Sequence, residues 1–123
     1  MPQSRSPWRT RNNYLLVAAL LLVASPARAQ SFPKPAGRIS DFANVISADV
    51  ETALDRRIDQ LEQKTSSEIA VVTVTSLDGM SVEDYANKLF KAWGVGQAKQ
   101  DNGVLVVVAP TDRSMRIEVG YGL

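Results

Sequence analysis

The side chains best equipped for chemistry in this sequence are oxygen donors. Asp101-Asn102-Gly103 and Glu118 lie late in the chain, and Asp41 lies early. The carboxylates of Asp101 and Glu118 and the amide oxygen of Asn102, brought together, would suit a hard cation such as Ca²⁺, Mg²⁺ or Mn²⁺, which takes oxygen ligands. The same residues have plainer readings. D-N-G is a common turn, and Asp41 is placed to cap local structure before a helix. Asp78-Gly79 and Asp112 are turn residues, with a ligand role for Asp41 beside them at the carboxyl edge of a sheet as the other reading. The chain has no histidine and no cysteine, which excludes histidine metal sites, Ser-His-Asp triads and disulfide staples. Ser66, Ser67 and Thr73 therefore lack a base, and no nucleophile is assigned. No motif for an organic cofactor is present.

The elements that must position these groups follow from pattern. Ser47 is a good N-cap, Asp49 and Glu51 suit the positive end of a helix, and Val50, Leu54, Ile58 and Leu61 recur on one face. This predicts a helix from Ser47 to about Lys64. Glu68–Thr75 (EIAVVTVT) is β-branched and nearly all apolar, as expected of an interior strand covered on both faces. Ser81 and Asp84 form a capping arrangement for a second helix, whose stripe is Val82, Tyr85, Ala86, Leu89, Phe90 and Trp93 and which Gly94 stops. Val104–Ala109 (VLVVVA) predicts a second buried strand. Ser114–Val119 alternates, with Met115, Ile117 and Val119 on one face and Arg116 and Glu118 on the other. Residues 38–46 are short and mixed, anchored by Ile39, Phe42, Val45 and Ile46.

Strand, helix and strand make a βαβ unit with parallel strands, and the short Pro110–Arg113 turn makes the next strand antiparallel. The expected fold is α/β, a mixed sheet sandwiched by helices in an α/β/α arrangement. Its topology brings Trp93, Gly94 and Gly96, the Asp101–Gly103 turn and Gly120-Tyr121-Gly122 to one sheet edge. Glycines there would let backbone approach a ligand closely. Two helices cover so apolar a sheet only in part, so the fold is expected to be incomplete, with further residues after Leu123.

The chain opens with Arg5, Arg9 and Arg11, then ten residues of Leu, Val and Ala from Leu15 to Ala24, then Ala27-Arg28-Ala29. This is the order of a secretory signal peptide cleaved after Ala29. The apolar run is half the roughly 20 residues a membrane span needs. Residues 1–29 are thus expected to be a signal, 30–37 (with Pro33, Pro35 and Gly37) an extended linker, and 38–123 the domain. The product would be exported to the periplasm or the outer face of the membrane. Losing Arg5, Arg9, Arg11 and Arg28 moves the formal charge from +1 to −3. No basic stripe for nucleic acid remains.

Three segments carry a family resemblance. They are Asp41-Phe-Ala-Asn44, Glu68-Ile-Ala-Val-Val-Thr-Val74, and the run Trp93-Gly-Val-Gly96, Asp101-Asn-Gly-Val-Leu-Val-Val-Val-Ala109 and Arg113-Ser-Met-Arg-Ile-Glu-Val-Gly-Tyr-Gly122. In this order and spacing they resemble the TPM domain family, which includes thylakoid-lumen phosphatase-like, photosystem II repair and YgcG-type bacterial proteins. The resemblance implies an acidic cleft binding Ca²⁺ or Mg²⁺, for which Asp101, Asn102, Glu118 and Asp41 are the candidates. It also implies an envelope or membrane-protein partner and a part in assembling or repairing membrane complexes. Its other implication is a metal-dependent, phosphatase-like hydrolase, against which stands the lack of a nucleophile, a phosphate clamp and a general acid. Family members continue past G-Y-G with E-G and T-D segments, so a site using those residues would not be complete within this sequence.

Overall fold

A computed structural model describes residues 31–96 and 98–123. The expected signal segment lies outside the described residues. Six elements follow in order: β1 (Ile39–Asp41), α1 (Ala48–Thr65), β2 (Glu68–Thr73), α2 (Val82–Trp93), β3 (Gly103–Ala109) and β4 (Ser114–Val119).

Both helices start and stop where local chemistry dictates. The Ser47 hydroxyl accepts from the Val50 N–H, and the Ser81 hydroxyl from the Asp84 N–H. Each satisfies one of the donors a helix start leaves unpaired. Ser66 and Gly94 end the helices in the left-handed conformation.

The four strands form one mixed sheet in the order β1-β2-β3-β4. β1 pairs parallel with β2, β2 parallel with β3, and β3 antiparallel with β4. The sheet is therefore mixed, and β2 and β3 are interior, as expected. β1 was not foreseen as a strand. Three residues are too few to display a period of two, and β1 exists only because β2 offers it a partner.

Burial in β3 alternates. Gly103, Leu105, Val107 and Ala109 are buried, while Val104, Val106 and Val108 are only partly so. Leu105, Val107 and Ala109 join Val72, Val74, Tyr85, Ala86 and Leu89 in one core beneath α2. Ile39 and Ile58 are buried outside that cluster. Continuous apolar character predicted two covered faces, and only the α2 face is fully so.

The β3–β4 register has a further consequence. Glu118 lies opposite Leu105 and Arg116 opposite Val107, so the two charged residues share the α2 side. Met115, Ile117 and Val119 lie on the other side and are 58%, 50% and 52% exposed.

The leader is docked on the domain. The Phe32 ring meets Tyr85 edge-on at 5.2 Å. Trp93 Nε1 donates to the Pro33 carbonyl at 2.9 Å, and the Ala36 N–H donates to Ser40 Oγ at 2.9 Å. Ser31–Leu123 forms one compact unit that includes this strap. Phe32→Ala removes an aromatic pair and its partly buried area, and should cost about 2 kcal/mol. A domain of this size should then melt about 10 °C lower. Thermal unfolding checks this; an unchanged midpoint would mean that the strap contributes nothing to stability.

Candidate functional site

The expected convergence at the amino edge of the sheet is present. The Gly120 N–H donates to the Gly103 carbonyl at 2.8 Å, and the Gly122 N–H to the Asp101 carbonyl at 2.8 Å. Asp101 adopts φ 47° and its Oδ2 accepts from the Tyr121 N–H at 3.0 Å. The Glu68 N–H donates to the Asn102 carbonyl at 3.2 Å, and Glu68 Oε2 accepts from the Gly96 N–H at 2.9 Å. These bonds tie the starts of β2 and β3 to the end of β4.

The close approach that the glycines permit is backbone to backbone. A Cβ on Gly103 would run into the Val95 carbonyl, and one on Gly120 into the Asp101 carbonyl. The space anticipated for a ligand is filled by the chain itself.

The four candidate ligands are not brought together. Asp101 holds the G-Y-G segment. Asn102 is 5% exposed, and its Nδ2 donates to the Ser66 carbonyl at 2.8 Å and to Gln100 Oε1 at 2.9 Å. Its amide thus pins the end of α1 to the start of β3. Glu118 Oε1 accepts from Arg116 Nε at 3.0 Å. Asp41 stands at the opposite edge: it is in register with Thr73 at the end of β2, whereas Gly103 is in register with Glu68 at its beginning. Five residues of strand, about 16 Å, lie between those levels. There Asp41 works as a cap. Its carboxylate accepts from the Val45 and Ile46 N–H groups at 3.1 and 2.9 Å and from the Thr73 hydroxyl at 2.6 Å. The Thr73 hydroxyl bond, ahead of those backbone N–H groups, holds the Asp41 carboxyl below the usual carboxylate range. Among the described residues no group of three or more Asp, Glu, His or Cys side chains is placed to hold a metal ion.

A groove of about 280 Å³ opens beside this junction, lined among others by Ile69, Ala70, Trp93, Val95, Arg38, Glu62 and Glu68. Its charged side is built on Arg38. That guanidinium meets Asp59 at 2.6 Å, Glu62 at 3.1 Å and Asp55 at 3.6 Å, all on α1. The hydrogen bond to Glu62, with the charges of Asp59 and Asp55, raises its pKa. Arg38 and Glu68 were not among the residues singled out from sequence. A signal was available: Glu51, Asp55, Asp59 and Glu62 form an acidic stripe at helical spacing, and Arg38 is the only arginine between residue 30 and α1.

A family model, TPM domain, matches residues 39–123. Among solved structures, the N-terminal domain of a protein from P. gingivalis is 36% identical, with a TM-score of 0.64 over 70% of this chain and 55% of that one. The N-terminal domain of the cg2496 protein from Corynebacterium glutamicum is 25% identical, with a TM-score of 0.62 over 77% and 61%. The chain thus spans less than two thirds of either. No curated protein matches it.

Proposed function

The chain belongs to the TPM domain family, and from that premise we propose that it is an exported, non-catalytic module of the cell envelope that binds a partner protein in the groove at the amino edge of its sheet. In this reading it assists the assembly or repair of membrane complexes. The observation that carries the reading is the groove's make-up. Apolar walls from Ile69, Ala70, Trp93 and Val95 stand beside Arg38, Glu62 and Glu68. Apolar lining with a few placed polar groups is the usual character of a binding site. Within the groove two carboxylates, Glu62 and Glu68, stand beside one cation, Arg38. That excess of negative charge selects a partner segment carrying Lys or Arg next to apolar side chains. No helix among the described residues is long and apolar enough to cross a membrane.

The test uses protein recovered from the envelope of producing cells, where its first residue should be Gln30. A photoreactive residue in place of Glu62 should cross-link one discrete envelope protein. Excess parent protein should compete for it, and the same probe at Asp112 should not capture it. Labelling that is diffuse, or equal from both positions, would remove the groove from the reading. The same preparation should release nothing from a phosphate ester above the buffer rate, with or without Ca²⁺ or Mg²⁺. Turnover that copurifies with the protein would make it a hydrolase instead.

A further inference from the structure

We propose that β4 is a self-pairing edge, and that two copies of the chain join antiparallel through Ser114–Val119 about a two-fold axis at Ile117. The inference is independent of the groove, since β1 and β4 stand at opposite ends of the sheet.

Hydrogen-bonding direction comes first. In an antiparallel ladder, alternate residues turn their N–H and C=O groups to the same neighbour. The Gly120 N–H donates to the Gly103 carbonyl, so Glu118, Arg116 and Ser114 also face β3. Met115, Ile117 and Val119 therefore turn their backbone groups outward. β4 is the last strand of the sheet, and that edge meets no other strand among the described residues.

Natural sheets guard an exposed edge with proline, charged or inward-pointing side chains, or a bulge. β4 reads Ser-Met-Arg-Ile-Glu-Val and is paired with β3 without interruption, so it has no proline and no bulge, and its two charges, Arg116 and Glu118, are of opposite sign and match those of a second copy.

Side-chain complementarity fixes the register. With Ile117 opposite its own copy, Met115 lies opposite Val119, and these are the residues whose backbone groups point outward. On that face the half-exposed Met115, Ile117 and Val119 of each copy form one apolar strip. On the α2 face Arg116 of each copy lies opposite Glu118 of the other, in a non-hydrogen-bonded pair where side chains come closest. The cross-strand charge match occurs twice by symmetry. A slip of one residue along either strand would break the hydrogen-bond pattern and turn the apolar strip against the charged face.

Sedimentation equilibrium on the full chain, in the form producing cells leave it, tests this. The parent should approach twice the monomer mass as concentration rises, and the amides of Met115, Ile117 and Val119 should exchange more slowly in the dimer. Ile117→Lys sets two ammonium groups together on the axis and should leave a monomer. Arg116→Glu sets like charges opposite at both ends and should weaken association by about tenfold or more. Arg116→Glu combined with Glu118→Arg should restore it, and thermal unfolding of the single variant, whose own Arg116–Glu118 pair is also lost, should show that it remains folded. A parent that stays monomeric up to about 1 mM, the weak limit of specific association, overturns the proposal. So do a dimer that survives Ile117→Lys, a double variant no tighter than Arg116→Glu, and assemblies larger than two, because this pairing closes on itself.

Discussion

Gly103→Ala should cost about 3 kcal/mol, the upper part of the range for forcing an extra carbon into a filled site. For a domain of this size that corresponds to a melting point about 15 °C lower. Gly103 is buried at the start of β3, in register with Glu68, and its carbonyl accepts from the Gly120 N–H at 2.8 Å. An added methyl would strike the Val95 carbonyl and the Gly96 nitrogen, which are backbone and cannot swing aside as a side-chain tip can. β3 cannot yield either, because it is paired on both sides. Gly79→Ala is the control. Gly79 has φ 79° and open space around its Cβ position, so that substitution brings only backbone strain, about 1 kcal/mol. Denaturant or thermal unfolding of the two variants should separate them clearly. Equal, small losses would show that the amino-edge junction gives way.

Thr73→Val keeps the shape of a buried side chain and removes its hydroxyl. Thr73 is 2% exposed, and its Oγ1 donates to Asp41 at 2.6 Å and accepts from the Ala43 N–H at 3.0 Å. Both partners lose their bond, at an expected cost of about 2 kcal/mol near neutral pH. The variant should also change the response to acid. Asp41 in the folded protein titrates below its unfolded value, chiefly because of the Thr73 hydroxyl. A depressed carboxyl pKa contributes stability that is present above the unfolded value, about 3.9, and is lost as pH falls through the folded one. The parent should therefore lose part of its stability below about pH 4. In Thr73→Val the Asp41 pKa should rise toward the ordinary value and that part of the loss should shrink. A carboxyl-carbon NMR titration of both proteins measures the shift. An Asp41 titration that does not move would assign the depression to the Val45 and Ile46 N–H groups.

Much of the chain was legible because its signals are local. Ser47 and Ser81 cap helices whose starts they mark, and Gly94 stops α2. Those signals act within one turn of helix, so a reader of the sequence sees both partners at once. β4 was legible from its alternation. β1 was not, since Ile39–Asp41 has no pattern of its own and is held by pairing with Val71–Thr73. At the candidate site the meeting of Asp101–Gly103 with Gly120–Gly122 followed from strand direction alone. What the carboxylates do there did not follow. Asp101 and Asp41 hold backbone N–H groups, and the charged lining of the groove is Arg38 with Glu62 and Glu68.

By itself, then, the sequence determined the type and direction of α1, α2, β2, β3 and β4, and the edge at which the glycine-rich segments meet. Those outcomes depend on residue type, on neighbours three or four positions away and on the handedness of connections. The tertiary structure alone decided which strand faces are covered and which polar groups find partners. It put Arg116 and Glu118 on the α2 side of β4 and left Met115, Ile117 and Val119 half exposed on the other. The alternation in β4 is the same whichever face is turned inward. Only its register against β3 chooses between them, and that register is set by contacts between residues far apart in the chain.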